Sequence, residues 1–376
     1  MSIILPQSIN YKEGLPTLPE GCQQINVGAS PINGQQFSSG QQIMFDLLNR
    51  GFLVPDSMYI SYTWTLTGTA TDTPRLIGCP VYSSFNRLDV QIGSQTVDSM
   101  QNYNIMMSML SNLTLSVSEK YGIQSAFGYL NGATALTLED LDGRQYAALG
   151  ATTISSGTFS GPLMSILSNS EKLLPLFAMP QVRIILTLDA IANFFRNDGG
   201  TVVRPTGWTL SNVELRYKVV DMGGNVEEMV RSMSDKIYIK SQSFASSSNI
   251  LSANSIGSFE LIYNQRFASV KSLFAINRNG AGNLQFDSID LTSSNGYYYF
   301  IVGGQNYPQK PLSTKNNKTG ILQELRTAVG SIFDKNNSFS INNTEFSYET
   351  TAAACTVNTP GKFYIGTSTE KLNSNS

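Results

Sequence analysis

Two groups of carboxylate residues in this chain have types and spacings that could support chemistry. Glu139, Asp140 and Asp142 form an acidic cluster of the kind that binds calcium. The ligand spacing and closing glutamate of an EF-hand calcium loop are missing, so a solvent-facing turn is the better interpretation. Glu227 and Glu228 are adjacent and would diverge on a helix, which excludes them as a facing acid–base pair. We interpret them as part of a solvated connector.

The paired glycines and the clustered methionines match no functional pattern either. Gly303-Gly304 and the Gly-Ala-Gly stretch at 280–282 lack the spacing of a phosphate-binding loop and are predicted to be turns. Met106, Met107 and Met109 are predicted to be adaptable core residues. The sequence therefore predicts no catalytic residue, no cofactor and no cofactor-binding residue, and no metal ligand.

Histidine is absent from the chain, and cysteine is sparse. Histidine is the usual proton shuttle near neutral pH and the commonest metal ligand, so its absence excludes His-based triads and most catalytic zinc or copper sites. Cys22, Cys79 and Cys355 are widely spaced, form no CxxC pair and are predicted to be buried or inert thiols. We predict that the chain is not an enzyme.

The overall composition favours a β-rich protein that does not coat nucleic acid. A length of 376 residues suits two domains, and Ser, Thr, Asn, Gln and Gly dominate the polar part. Charged residues make up 14% and the net charge is −2, without the basic run that phosphate binding requires. Direct nucleic-acid binding is therefore not expected. No signal peptide and no apolar window long enough to span a bilayer is found, which predicts synthesis in the cytoplasm.

Two strands separated by a proline corner open the folded part of the chain, at residues 37–64. From Met58 to Leu66 the even positions are apolar, whereas the odd positions are mostly hydroxylated. Side chains alternate between the two faces of a strand, so this pattern predicts a sheet with one face on a core. Further strands are predicted at 88–92, 182–188 and 208–220, the last with a bulge near residues 210–213.

The domain organisation follows from the segments between these strands. We predict an N-terminal arm at 1–36, a first β-domain at 37–222, a connector at 223–235 and a second β-domain at 236–376. A Gly/Ser/Thr-rich insertion at 114–175 is expected to form surface loops or towers. The predicted helices are 101–113 and 321–333. The predicted strands of the second domain are 236–244, 258–264, 269–277, 297–302, 338–348 and 362–366.

The two halves share a short sequence echo. Ser84-Phe85-x-x-Leu88-x-Val90 matches Ser269-Val270-x-x-Leu273-x-Ala275 at a separation of 185 residues, about half the chain. In each half an aromatic residue then precedes a helix. The spacing favours a duplicated β-domain.

The order of these parts resembles the double jelly-roll major capsid proteins of tailless icosahedral DNA viruses. That lineage includes membrane-containing phages, virophages, Polinton-like viruses and the adenovirus hexon. The resemblance rests on Ser38-Ser39-Gly40-Gln41-Gln42-Ile43 leading to Gly51-Phe52-Leu53-x-Pro55, on residues 84–92 followed by Tyr103-Asn104, on Ser211-Asn212-Val213-Glu214-Leu215-x-Tyr217, and on Tyr307-Pro308 before the second helix. It covers roughly residues 35–350.

The resemblance implies an all-β fold with a few short helices, in which two consecutive jelly-roll barrels stand side by side. It implies a major capsid protein whose homotrimer forms a pseudo-hexameric capsomer of an icosahedral shell, located in the virion. The implied partners are copies of the chain, neighbouring capsomers, penton or minor capsid proteins, and an internal membrane on the inner face. The two predicted helices are then expected to cover barrel edges.

Two other functions remain open on the sequence alone. A viral receptor-binding or lectin-like β-sandwich spike predicts an aromatic-lined sugar groove, but it gives no reason for the internal echo. A jelly-roll glycosidase needs two carboxylates about 5–10 Å apart in a cleft. The sequence offers no obvious pair of glutamates at alternating strand positions to supply them.

Overall fold

The computed structural model describes most of the first half of the chain and shorter parts of the second. The described residues are 22–67, 74–129, 143–145, 155–197, 207–233, 238–251, 257–263, 267, 269–278, 288, 296–314, 317–332, 339–341, 346 and 362–369. Strands predominate over helices among them, which confirms the predicted β-rich fold class with a few short helices.

Strands and helices are numbered in chain order. The strands of the first half are β1 (Gln23–Ala29), β2 (Gln36–Phe37), β3 (Gln42–Asp46), β4 (Phe52–Thr67), β5 (Pro74–Ile77), β6 (Phe85–Ile92), β7 (Gln95–Gln101), β8 (Gly143–Gln145), β9 (Ser155–Pro162), β10 (Leu174–Pro175), β11 (Val182–Leu188), β12 (Phe195–Asn197) and β13 (Gly207–Asp221). Its helices are α1 (Tyr103–Thr114), α2 (Val117–Gly122), α3 (Gln124–Phe127) and α4 (Ile191–Phe194), with a 3₁₀ turn at Leu176–Ala178. Then follow α5 (Gly224–Met233), β14 (Ser272–Ile276), β15 (Tyr297–Val302), β16 (Gln305–Ser313), α6 (Lys318–Ile332) and β17 (Tyr364–Ser368).

Two antiparallel sheets face each other in the first half. The larger sheet has the order β1-β13-β4-β10, with β2 paired to β13 and β9 paired to β4, and the smaller has the order β3-β11-β6-β7. Tyr62 of β4 meets Phe85 of β6 edge to face across the gap, with ring centroids 5.6 Å apart. The inner faces of both sheets therefore enclose one hydrophobic core, as in a β-sandwich.

The alternation that the sequence shows in β4 places its side chains as predicted. Met58, Ile60, Tyr62, Trp64 and Leu66 are all buried, and the residues between them are exposed or half-buried. The predicted bulge in β13 is also confirmed. The pairing of β13 with β4 shifts register between Ser211 and Glu214, and the intervening Asn212 has a φ of 50°. This bulge lets a long strand keep its apolar side chains on the core after the phase of the sequence changes.

Two segments of the first half differ from the sequence prediction. Residues 23–29, assigned to the arm, form β1 and pair with β13 over seven residue pairs. Residues 155–162, assigned to surface loops, form β9 and pair with β4 over eight, with Phe159 fully buried. Both sequences are polar and poor in periodicity. Pairing with a long strand already in place stabilises them, so tertiary contacts override the local signal.

The named strands and helix described in the second half are two strand pairs and one helix. β14 pairs with β17, β15 pairs with β16, and α6 packs on β17. The prediction of a strand at 297–302 and of a helix near 321–333 is confirmed, and strands lie within or overlap 269–277 and 362–366. The strands predicted at 236–244 and 258–264 are not formed in their described residues. The arm tip at 1–21 and most of 338–348 lie outside the described residues.

Candidate assembly surface

The helix α1 lies at the junction between the two halves. Its start matches the Tyr103-Asn104 pair of the sequence resemblance, and the residue before it, Asn102, adopts the left-handed conformation at φ 52°. Met107 belongs to the core of the first half, whereas Met109 belongs to a second cluster that includes Leu325 of α6. The clustered methionines are thus core residues, as predicted, and they connect two separate cores.

Polar contacts fix this junction from both sides. The backbone amide of Ser340 donates to the carbonyl of Leu113 at 3.0 Å. The side-chain amide of Asn112 donates to the phenol oxygen of Tyr364 at 3.1 Å. The ammonium of Lys120 donates to the side-chain amide oxygen of Asn112, Oδ1, at 2.8 Å. The two halves are therefore held by specific hydrogen bonds as well as by apolar packing.

A buried polar hub surrounds the first residues of α1. The amide of Asn104 donates to Asp189 at 3.0 Å and to the carbonyl of Ser83 at 3.1 Å. Asn193 donates to the other carboxylate oxygen of Asp189 at 2.7 Å. Burial lowers the pKa of Arg278, a residue of the second half, while the negative charge of Asp189 opposes that shift. The hub was not predicted, although Asn104 belongs to a motif of the sequence resemblance.

The strand β15 presents an apolar outer face. Tyr297, Tyr299 and Ile301 alternate along the strand and are 61%, 48% and 57% exposed. Between them, Tyr298 and Phe300 pack against the second cluster, where burial raises the pKa of the Tyr298 phenol well above its usual range. The outer face of β4 differs, because its positions Ser61, Thr63 and Thr65 carry hydroxyls. We name the outer face formed by Tyr297, Tyr299 and Ile301 the aromatic face.

The acidic and glycine-rich groupings of the sequence behave as turns and connectors wherever they are described. Gly303 and Gly304 form the turn between β15 and β16, with φ of 59° and 81°. Glu227 of α5 accepts a hydrogen bond from the amide of Gly51 at 3.3 Å. Residues 139–142 and 280–282 lie outside the described residues. Among those that are described, no group of three or more acidic or cysteine side chains could hold a metal ion.

The described cysteines, Cys22 and Cys79, are both shielded from solvent to some degree. Cys79 is buried, and burial raises the pKa of its thiol to about 11. Cys22 is half-buried, and Cys355 lies outside the described residues. None of the described helices has the length and apolar character that crossing a membrane requires.

One opening on the described surface is shallow. It has a volume of about 460 Å³ and is lined by residues 56–59 and 160–162. Tyr59, the single aromatic side chain there, is 37% exposed. Asp56 is the single carboxylate of this lining.

Comparison with known proteins yields matches to solved structures. The Faustovirus major capsid protein matches with 10% identity over 62% of this chain and 59% of that chain, at a TM-score of 0.42. The mavirus major capsid protein matches with 11% identity over 59% and 52%, at a TM-score of 0.34. PBCV-1 VP54, fitted into a reconstruction of the virophage Sputnik, matches with 13% identity over 58% of this chain and 46% of that chain, at a TM-score of 0.39. The chain is similar to viral major capsid proteins.

This similarity is one of fold, at low sequence identity. The chain spans about half the length of the capsid proteins that it matches. No protein-family model matches the chain, and no curated protein matches it. The matched capsid proteins come from double jelly-roll viruses, the lineage that the order of sequence motifs resembles.

Proposed function

We propose that the chain is a major capsid protein, three copies of which form a pseudo-hexameric capsomer of an icosahedral virus shell. The observation that carries this proposal is the aromatic face, an uncharged apolar surface on a β-rich frame. Large exposed apolar patches on folded proteins mark sites of interaction. No charged residue occurs between Asp290 and Lys310, so β15 and the turn after it carry no charge that a second subunit would have to desolvate.

The second copy of the chain is the partner that best fits this surface. The two halves differ in these two strands, because β4 carries hydroxyls at Ser61, Thr63 and Thr65 whereas β15 carries the aromatic face. In a ring of identical subunits each contact joins different patches of neighbouring copies, so unlike halves suit a closed ring. A net charge of −2 adds little repulsion when the copies pack together. The role is structural, with the virion as its location after synthesis in the host cytoplasm.

Light scattering after size-exclusion chromatography tests the oligomeric part of this proposal. We expect a species of three chains, each of 41.0 kDa. A stable monomer at micromolar concentration would contradict it. Negative-stain electron microscopy of the same sample then separates a trimeric tile from an elongated spike, because the tile has a hexagonal outline.

The N-terminal arm is the part of the chain that we assign to the shell interior. There it would contact neighbouring capsomers, penton or minor capsid proteins, or an internal membrane. Since Gln23–Ala29 is a strand of the first sheet, the assignment to the shell interior is limited to the residues that precede it. Deleting residues 2–20 is expected to impair shell assembly and to leave the trimer intact. Loss of the trimer in that variant would contradict the assignment.

A further inference from the structure

The segment that follows α5 runs along the outer edge of the first sandwich. We name residues 240–246 the strap. Two of its hydrogen bonds reach β7 at positions three residues apart on both segments. Ser243 donates to Asp98 at 2.6 Å, and Ser246 donates to the carbonyl of Gln101 at 2.6 Å. Phe244 packs against both hydrophobic clusters. The strap therefore joins the two halves alongside β7.

The strap is held by side chains and not by a strand ladder. β7 is the outer strand of its sheet, and no described residue of the strap pairs with it in a ladder. The hydroxyl of Ser241 donates to the carbonyl of Ile166, and Asn169 donates to the carbonyl of Gln242 at 3.1 Å. Lys240 pairs with Glu171 at 3.0 Å on the exposed side. Separate side-chain contacts of this kind can be broken one at a time, unlike a cooperative ladder.

Asp98 is the point where three segments meet. It lies on β7 opposite Val90, a core residue, so its carboxylate points inward and is buried at 4% exposure. The carboxylate of Asp98 accepts a hydrogen bond from the hydroxyl of Ser243 and a second one, at 3.1 Å, from the backbone amide of Ile166. Among the described residues it forms no ion pair, so hydrogen bonds alone compensate for the buried charge.

The surroundings of Asp98 act on its pKa in two directions, and the net effect favours the neutral carboxyl. Burial is the largest cause of a raised pKa for this carboxyl, and the charge of Asp89 adds to it. The hydrogen bonds from Ser243 and Ile166 act in the opposite direction. Other charged or titratable groups lie on the elements packed against Asp98: Arg87 and Asp89 of β6, Tyr103 of α1, Glu171 and Lys172 of the segment between β9 and β10, and Lys240 of the strap.

We propose that Asp98 is a proton-sensitive latch that holds the strap on the edge of β7 and thereby couples the two halves of the chain. The carboxyl of Asp98 carries the proposal, because it points inward, is bonded to the strap through Ser243 and forms no ion pair with the described residues. When the strap leaves, the carboxylate gains solvent, so the ionised form favours the open strap and the protonated form favours the closed one. An open strap also leaves the edge of β7 free to pair with another strand.

The sign of the pH dependence follows from linkage. A carboxyl with a higher pKa in the closed state binds protons more tightly there, so closing is favoured at acid pH and weakens as pH rises. The ion pair of Glu171 with Lys240 acts oppositely, since the pKa of Glu171 is lowered and the pair is lost at acid pH. The Glu171→Gln substitution removes that second effect and serves as the background for the test.

Proteolytic cleavage within the strap, corrected for the cleavage of an unfolded peptide of the same sequence at each pH, measures its opening. In the Glu171→Gln background we expect opening to rise by up to about tenfold per pH unit from about pH 4, and to level off above the pKa of the closed state. Adding Asp98→Asn is expected to abolish this dependence. Ser243→Ala is expected to increase opening about tenfold or more at neutral pH, since it removes a hydrogen bond to a charged group.

Ser247→Ala is the matched control, because Ser247 is exposed next to the strap and its hydroxyl forms no hydrogen bond with the described part of the chain. It should leave the opening unchanged. An Asp98→Asn variant that keeps the pH dependence, or a Ser243→Ala variant that behaves like Ser247→Ala, would overturn the proposal. Tryptophan fluorescence of each variant establishes that the sandwich is folded, because both tryptophans, Trp64 and Trp208, lie in its core.

Discussion

Asn112 of α1 donates a hydrogen bond of 3.1 Å to the phenol oxygen of Tyr364 on β17, joining residues 252 positions apart. Lys120 holds the other end of the same amide through its carbonyl oxygen. The amide is therefore oriented from both sides, and its two polar ends are matched to a donor and an acceptor. This arrangement fixes how the first half of the chain meets the second.

Substituting Tyr364 by Phe is expected to destabilise the junction by about 1 kcal/mol. The change leaves the half-buried amide of Asn112 without its acceptor on β17 while the ring still packs in the second cluster. Urea denaturation followed by circular dichroism measures the loss as a lower midpoint. Tyr238→Phe is the control, because Tyr238 is 86% exposed, and its midpoint should equal that of the unmodified chain. Equal midpoints for both variants would show that the Asn112 contact adds nothing.

The corner at Gly51 is expected to tolerate no side chain. A Cβ there would lie 2.6 Å from Val219 Cγ1 and 2.9 Å from the carbonyl oxygen of Val220, and φ is +67°. Gly40 has a similar φ of +75° but open space around it. Gly40→Ala should therefore cost only the left-handed strain, about 1–2 kcal/mol, and Gly51→Ala should cost more. Thermal unfolding of the two variants measures the difference, and equal losses would exclude the steric clash.

The core-facing residues of β4 could be predicted from the sequence, but not all of the strands that complete the first half. Met58 to Leu66 could be assigned because strict alternation produces a buried face whatever else the chain does. The strand β9 could not be assigned from the sequence, because Phe159 is its one large apolar residue. Its pairing with β4 is decided by tertiary contact. The opposite error occurred at 236–244, where alternation predicted a strand. The described residues there bind through hydroxyls to a neighbouring edge, a choice that depends on the position of Asp98.

The junction between the halves was beyond prediction for a related reason. The methionines of α1 were assigned to a core, but a single sequence does not reveal that there are two cores. Asn112 and Tyr364 have no shared pattern along the chain, and their contact exists only once both halves are folded. Only the order of motifs, with Tyr103-Asn104 at the helix start, indicated that this helix matters.

The tryptophan pair in the sandwich predicts a specific loss of stability. Trp64 and Trp208 stack with ring centroids 4.8 Å apart, and Phe194 meets both edge to face. Trp208→Ala removes a buried ring and is expected to cost about 3–5 kcal/mol. Trp208→Phe should cost less, because it keeps a ring and removes an indole N–H that has no hydrogen-bond partner in the described part of the chain. Urea titration followed by the fluorescence of Trp64 orders the variants, and an equal cost for both would contradict the packing argument.

The thiol of Cys79 is expected to resist modification while the chain is folded. Its pKa of about 11 leaves almost no thiolate at pH 8, and the side chain is buried. Disulfide exchange with a chromogenic reagent, in a Cys355→Ser background, should label Cys22 first and Cys79 only after urea is added. Labelling of Cys79 at the rate of Cys22 in the folded chain would contradict the assignment of an inert core thiol.

The aromatic face is expected to control self-association. Tyr299→Ser removes a large apolar side chain from the middle of the face, and a contact that carries more than about 1.4 kcal/mol weakens association at least tenfold when lost. The neighbouring Tyr298 still packs inward, so the hairpin keeps its place on the second cluster. Ile250→Ser is the control, because Ile250 is 93% exposed and lies outside this face. A dilution series in light scattering measures both variants. If Tyr299→Ser dissociates no earlier than Ile250→Ser, the subunits do not meet through this face.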